Sequence, residues 1–180
     1  MTQGQHDMFG RDAWGAVFSR CRSYRYRLWR HYDDGPSIVW VLLNPSTADE
    51  TVNDPTVERC CRRSIAMGHP HVEVVNLFAY RSTDPAGLRH VDDPVGPAND
   101  AAILAAVAGA GLVVCGWGNH GARMGRGAHV LSLLREAGVR AHALCMTGAG
   151  QPGHPLYVGY DVAPTPLDEF ENVRKETADA

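Results

Sequence analysis

The chain has 180 residues, of which 44% are hydrophobic and 21% charged, and its formal net charge is −3 with neutral histidines. These values suit a single globular domain, and the bulk charge gives no support to a nucleic-acid partner. The five cysteines form no CxxC pair, which argues against a disulfide framework and against a closed zinc or iron–sulfur site.

The two ends of the chain differ from its middle. Residues 1–12 predict a disordered start, residues 13–168 predict one α/β domain, and residues 169–180 form a charged tail. No signal peptide and no apolar run of about 18 residues is visible, so we expect a cytoplasmic protein with no membrane partner. We predict no metal and no cofactor, and the oligomeric state is left open.

Five segments have the pattern of β-strands. Residues 24–30 alternate aromatic or apolar residues with arginine, which predicts a half-exposed strand. The other four segments are mainly apolar, which is typical of strands that are buried on both faces of a parallel sheet. They cover residues 38–43, 72–80, 111–118 and 139–145.

Three segments between these strands predict helices, over residues 55–67, 99–108 and 127–137. The first has clear start signals, because Asp54 suits the N-cap and Pro55 the first helical position. The alternation of strands and helices predicts an α/β fold with a mainly parallel central sheet and helices on both faces.

Polar and aromatic side chains follow each of the four buried strands. In open α/β sheets, ligands bind beyond the carboxyl ends of the strands. We therefore predict a pocket at this edge, next to the long loop over residues 81–97, which is a candidate functional loop. Its candidate residues are Asn44, Pro45, Ser46, Thr47, Asp49, Asn76, Phe78, Tyr80, Arg81, Trp117, His154 and Tyr157.

Several candidates also have a purely structural interpretation. Asn76 lies in an apolar strand, where it is either a hydrogen-bonded core amide or an amide that reads the edge of a ligand. Trp117 is either core packing or a pocket wall. His154 could cap a strand, and Asp49 could cap a helix.

The motifs at these positions resemble a known family. The chain is identified as a member of DUF1643, an uncharacterised bacterial domain family whose name implies no activity, over about residues 18–167. The resemblance rests on LLNPSTAD at 42–49, NDPT at 53–56, VNLFAYR at 75–81, DP at 84–85, DPVGPAND at 93–100 and GHPLY at 153–157.

A more remote resemblance concerns the order of motifs, which is similar to that of the uracil-DNA glycosylase superfamily. It rests on residues 43–46, on Asn76 and on residues 154–156. The resemblance implies a glycosylase-like fold, with Asn44 holding a water and His154 hydrogen-bonded to the departing base. Asn76 would then pair with the base edge.

The same resemblance implies roles for four further candidates. Asp49 would be an electrostatic partner of the water site, Phe78 or Tyr80 would stack on the base, and Arg81 would take phosphate. Together these roles suggest a protein that recognises a nucleobase or nucleotide, with possible hydrolysis of N-glycosidic bonds in DNA or in a modified nucleotide. Two alternatives remain open: a non-catalytic nucleobase- or nucleotide-binding module, and an enzyme that acts on free nucleosides. All require Asn44, Asn76 and His154 to share one pocket.

Overall fold

The structure is a computed structural model that describes residues 13–170 and residue 172. The predicted disordered start over residues 1–12, and all but three residues of the predicted tail over 169–180, lie outside the described residues. Among the residues that are described, no helix has the length and apolar character needed to cross a membrane.

Seven strands form one sheet in the order β1-β2-β4-β3-β5-β6-β7. Their bounds are β1 Trp14–Phe18, β2 Arg25–His31, β3 Ser37–Leu42, β4 His71–Asn76, β5 Leu112–Cys115, β6 Ala141–Ala143 and β7 Thr165–Pro166. The four predicted apolar strands are the neighbours β4, β3, β5 and β6, and they pair in parallel.

The sheet as a whole is mixed, which corrects the prediction of a mainly parallel sheet. β1 pairs antiparallel with β2, β2 with β4, and β6 with β7. The prediction included neither β1 nor β7. β7 has two residues, too few for a pattern, and β1 becomes a strand by pairing along β2.

Three helices connect the parallel strands: α1 Pro55–Ala66, α2 Asn99–Val107 and α3 Arg126–Glu136. The predicted start of α1 is confirmed, because the Asp54 carboxylate accepts a hydrogen bond from the Val57 N–H at 2.9 Å and Pro55 is the first helical residue. Short 3₁₀ turns cover Pro85–His90, Asn119–Gly125 and Pro155–Tyr157.

The helices cover both faces of the sheet, as predicted. Alternate residues of β3 point to opposite faces, so Trp40 packs in the cluster that contains Cys60 of α1. Val41 packs instead with Ile103 of α2 and Val130 of α3. This two-sided burial explains why the central strands are mainly apolar.

Two predicted strands end earlier than their apolar runs do. β4 stops at Asn76 and the chain bends at residues 77–78, while β5 stops at Cys115. Beyond the bend, Tyr80 keeps only an isolated bridge to Tyr24. Because β4 ends at Asn76, Leu77 and Phe78 lie in the core, and Tyr80 lies in the loop that follows.

Candidate pocket at the carboxyl edge of the sheet

A pocket of about 640 Å³ lies at the carboxyl edge of the parallel strands, where ligands bind in open α/β sheets. This volume falls within the range of small-molecule sites. Its walls come from the segments after β3, β4, β5 and β6 and from the first turn of α1: Leu43, Asn44, Ser46, Thr56, Ser82, Thr83, Pro85, Trp117, Gly118, Asn119, His120, Cys145, Thr147, Gly153, His154, Leu156, Tyr157 and Val158.

Asn44 joins two walls of this pocket. Its side-chain nitrogen Nδ2 donates to the carbonyl oxygen of Ser82 at 2.7 Å and to that of Pro45 at 3.0 Å. Because only the NH₂ end of the amide can donate to two carbonyl oxygens, these bonds fix the orientation of the group. The group that Asn44 can still offer a ligand is the acceptor Oδ1.

The hydrogen bonding of His154 leaves it a donor, whereas that of Asn44 leaves it an acceptor. Its Nδ1 accepts a long hydrogen bond of 3.4 Å from the Leu156 N–H, so the neutral ring carries its proton on Nε2. Burial lowers the pKa of His154 below the usual 6.5, and the nearby Asp54 carboxylate opposes this shift only in part. His154 therefore presents a neutral N–H donor at neutral pH.

Two arginines of α1 hold the segment that directly follows His154. Arg59 donates to the carbonyl oxygens of Pro155 and Val158. Arg63, which is 1% exposed, donates to the carbonyl oxygens of Val158 and Gly159, among others. We call residues 155–162 the strap. Sequence reasoning missed this contact, because about 95 residues separate the donors from their acceptors.

Aromatic residues lie at the rim and at the floor of the pocket. Tyr157 is 89% exposed, and its ring centroid is 5.7 Å from that of His154. Trp117 is 1% exposed and donates through Nε1 to Gln151 at 2.9 Å. Trp117 is thus core packing and pocket wall at once, whereas Tyr157 offers a free ring face.

The pocket has no fixed charge in its lining. Within the described part of the chain, none of the residues that line it is Arg, Lys, Asp or Glu. The polar groups are hydroxyls, amides, two imidazoles and the Cys145 thiol. Such a lining suits a neutral ligand that forms several hydrogen bonds.

Of the other three residues of the predicted NPST loop, Pro45, Ser46 and Thr47, one lines the pocket. Ser46 lines the pocket, but Thr47 is exposed and does not. Pro45 is buried, and its carbonyl oxygen accepts from the Ser82 N–H at 2.9 Å. Pro45 thus stabilises the contact between the two loops, while Ser46 provides the hydroxyl.

Asp49 does not line the pocket. Its carboxylate accepts from the N–H groups of Thr51 and Val52, and these bonds lower its pKa. Arg30, which is fully buried on β2, donates to the carbonyl oxygen of Asp49 and draws this loop toward β2. The position of Asp49 therefore gives it no contact with a ligand in the pocket.

Asn76 also lies outside the pocket, so the expectation that Asn44, Asn76 and His154 share one pocket is not met: Asn44 and His154 line it without Asn76. Asn76 is 1% exposed, and its Oδ1 accepts from Arg25 Nη2 at 3.2 Å. Its carbonyl oxygen accepts from Asn99 Nδ2 at 2.9 Å. The structure therefore matches the core-amide interpretation of Asn76.

The three candidates that follow Asn76 are likewise not in the pocket lining. Phe78 is fully buried in the core between the sheet and α2 and α3. Tyr80 packs edge-on against Tyr24 at 5.7 Å, and the Arg81 guanidinium lies 5.0 Å from the centre of the Phe18 ring. The bend after β4 directs these side chains away.

Several lining residues were not among the candidates. Ser82 and Thr83 belong to the loop that its length had marked as functional. His120, which is exposed, and Thr56, which belongs to the predicted first helix, also line the pocket. Among residues 13–170 and 172, no group of three His, Cys, Asp or Glu side chains lies close enough to hold a metal ion.

The fold and the pocket together define an α/β protein with a ligand-sized pocket at the carboxyl edge of its parallel strands. Residues 25–156 match the family described as "Protein of unknown function (DUF1643)", which is most of the chain, and the protein belongs to that family. No curated protein and no solved structure matches the chain. The resemblance to the uracil-DNA glycosylase superfamily has no support in these comparisons.

Proposed function

We propose that the carboxyl-edge pocket binds a nucleobase, either free or as part of a nucleoside or nucleotide. One observation carries the proposal: Asn44 offers a fixed acceptor and His154 a fixed donor in the lining of one pocket. The edge of a nucleobase carries neighbouring donors and acceptors, so an amide and a neutral imidazole suit it.

Tyr157 supports the same proposal. A planar heterocycle needs a partner for its face as well as for its edge, and base–aromatic stacking contributes about 1–3 kcal/mol per base. A tyrosine that is 89% exposed beside His154 is available for such a contact.

Cleavage of an N-glycosidic bond is a second candidate, and the tautomer of His154 favours it. A neutral Nε2–H donor near a departing base would stabilise the negative charge that develops on the base. Asn44 Oδ1 could hold the attacking water. Among the described residues, however, no carboxylate lines the pocket to activate that water as a general base. Binding is therefore the primary proposal. The glycosylase-like fold, hydrolysis and a DNA partner belong to the second candidate, N-glycosidic cleavage.

Calorimetry with free bases, nucleosides, nucleotides and single-stranded, duplex, uracil-containing and modified-base oligonucleotides tests the proposal, and chromatography of the same mixtures detects base release. Tyr157→Ala should weaken binding roughly 5- to 150-fold through lost stacking. Tyr32→Ala is the matched control, since Tyr32 is also exposed but follows β2 at the opposite edge of the sheet.

His154→Gln separates the two candidates. If the protein only binds, this variant loses affinity and neither form releases base. If the protein cleaves, the wild type releases base, and the variant does so about 100- to 1,000-fold more slowly. The proposal is overturned if no base-containing compound binds, or if Tyr157→Ala and His154→Gln both bind like the wild type.

A further inference from the structure

We infer that the pocket selects uncharged ligands, namely free bases and nucleosides, over their phosphorylated forms, and that the Asp54 carboxylate enforces this choice. The inference rests on the proposed function, because it names the class of base-containing ligand that the same pocket accepts. Three features of the pocket and its surroundings support it.

The first feature is the lack of a cation to take a phosphate. Phosphate sites commonly use arginine or lysine as a charge-assisted donor. No such residue lines this pocket in the described part of the chain. A phosphate that entered would exchange its water for neutral hydroxyl and amide groups, which does not compensate for the loss of hydration.

The second feature is that the nearest arginines of α1 are already committed. Arg59 binds two strap carbonyls, and its guanidinium lies 4.3 Å from the centre of the Tyr160 ring. Arg63 binds four strap carbonyls and is buried. Neither can turn toward a phosphate without releasing the strap, which holds Tyr157 and follows His154.

The third feature is the start of α1, which reaches the pocket through Thr56. A free helix N-terminus attracts anions. Here the carboxylate of Asp54 occupies that position, because it accepts from the Val57 N–H at 2.9 Å. Pro55 has no N–H to offer. An approaching phosphate would therefore meet a carboxylate that is only 8% exposed. The arginines that interact with this carboxylate, Arg25 and Arg30, are themselves buried on β2 and do not line the pocket.

Asp54 lies close enough to the ligand-facing groups for its charge to matter. Its carboxylate opposes the lowering of the His154 pKa, so the two groups interact through space. The same carboxylate accepts from the Ala48 N–H in the loop that continues from Ser46. Asp54 is thus connected to three parts of the pocket lining: to Ser46 through the Ala48 N–H, to Thr56 along the chain, and to His154 by charge.

The experiment compares adenosine, guanosine, cytidine and uridine with their 5′-monophosphates by equilibrium binding at low and moderate salt. For each nucleoside that binds, the monophosphate should bind at least about tenfold more weakly, because like charges in a partly buried site repel each other. Asp54→Asn should reduce this ratio, since it removes the charge while asparagine remains an equally good N-cap.

Glu58→Gln is the matched control. Glu58 lies in the first turn of the same helix, but its carboxylate is paired with Arg62 and Asn53, so the ratio should stay at its wild-type value. A monophosphate that binds as tightly as its nucleoside would overturn the inference and leave the proposed function standing. An unchanged ratio in Asp54→Asn would overturn the role of Asp54. If neither the nucleosides nor the free bases and oligonucleotides bind, the proposed function fails, and the inference fails with it.

Discussion

The side chain of Asn44 donates to the carbonyl oxygen of Ser82 at 2.7 Å, across 38 residues of sequence. This bond joins the loop after β3 to the loop after β4 and fixes which end of the amide faces a ligand. The return bond from the Ser82 N–H to the Pro45 carbonyl closes the contact. The donor end of Asn44 therefore holds the two loops together, and under the proposed function the acceptor end contacts the ligand.

This arrangement predicts that, at position 44, the variant closest in shape to asparagine is the less stable of two. Asn44→Asp nearly keeps the shape of the side chain but should destabilise the fold more than Asn44→Ala does. The carboxylate would face the carbonyl oxygens of Pro45 and Ser82, whereas alanine only removes two hydrogen bonds, at about 1–3 kcal/mol. Urea denaturation measures both. An Asp variant as stable as the wild type would contradict the assigned orientation of the amide.

Position 76 should affect stability and not ligand affinity. Asn76→Ala leaves Arg25 Nη2, on a guanidinium that is 2% exposed, without its acceptor, so the unfolding free energy should fall by about 2–3 kcal/mol. Asn76→Asp keeps an acceptor for Arg25 and should stay closer to the wild type. A stable Asn76→Ala variant that has lost its ligand would return Asn76 to the ligand-binding role first expected from the sequence.

The lowered pKa of His154 predicts a pH dependence of stability. The unfolded chain binds a proton at this residue near pH 6.5, before the folded protein does. The unfolding free energy should therefore decrease as the pH falls from about 7.5 to about 5.5. Carboxylates with lowered pKa, such as Asp49 and Glu58, lose their contribution only below this window.

Denaturation of the wild type and of His154→Gln at these two pH values checks the sign. The variant lacks the titrating ring, so its stability should change less across the window. If the two proteins lose equal stability, another group is responsible. If the wild type gains stability toward acid pH, the neutral tautomer of His154 is wrong.

Neighbouring arginines of α1 should differ sharply in their effect. Arg63→Met removes a buried guanidinium that donates to several strap carbonyls and should cost about 3 kcal/mol of unfolding free energy. Arg62→Met removes an exposed partner of Glu58 one turn along the helix and should change little. Thermal denaturation compares the pair. Equal melting temperatures would mean that the strap does not depend on Arg63.

Local sequence patterns determined the centre of this fold. The apolar runs around Trp40, Val74 and Val114 predict strands buried on both faces, because no half-exposed strand could carry them. The cap at Asp54 is equally local, since a carboxylate three residues before Val57 reaches its N–H without help from the rest of the chain. The position of the pocket followed from the same patterns, because parallel strands present their carboxyl ends at one edge.

The tertiary structure alone decided which polar side chains face that pocket. Asn44 and Asn76 both lie near a strand end, yet Asn76 turns to Arg25 on β2, a partner 51 residues away in sequence. Arg30 likewise holds the loop at Asp49 toward β2, here through the main-chain carbonyl of Asp49. A buried guanidinium without hydrogen-bond acceptors is costly, so it takes the acceptors that the tertiary structure brings next to it. The local sequence around an acceptor does not show that such a partner will be there. Which amide served the core and which served the pocket therefore depended on the pairing of β2 with β4.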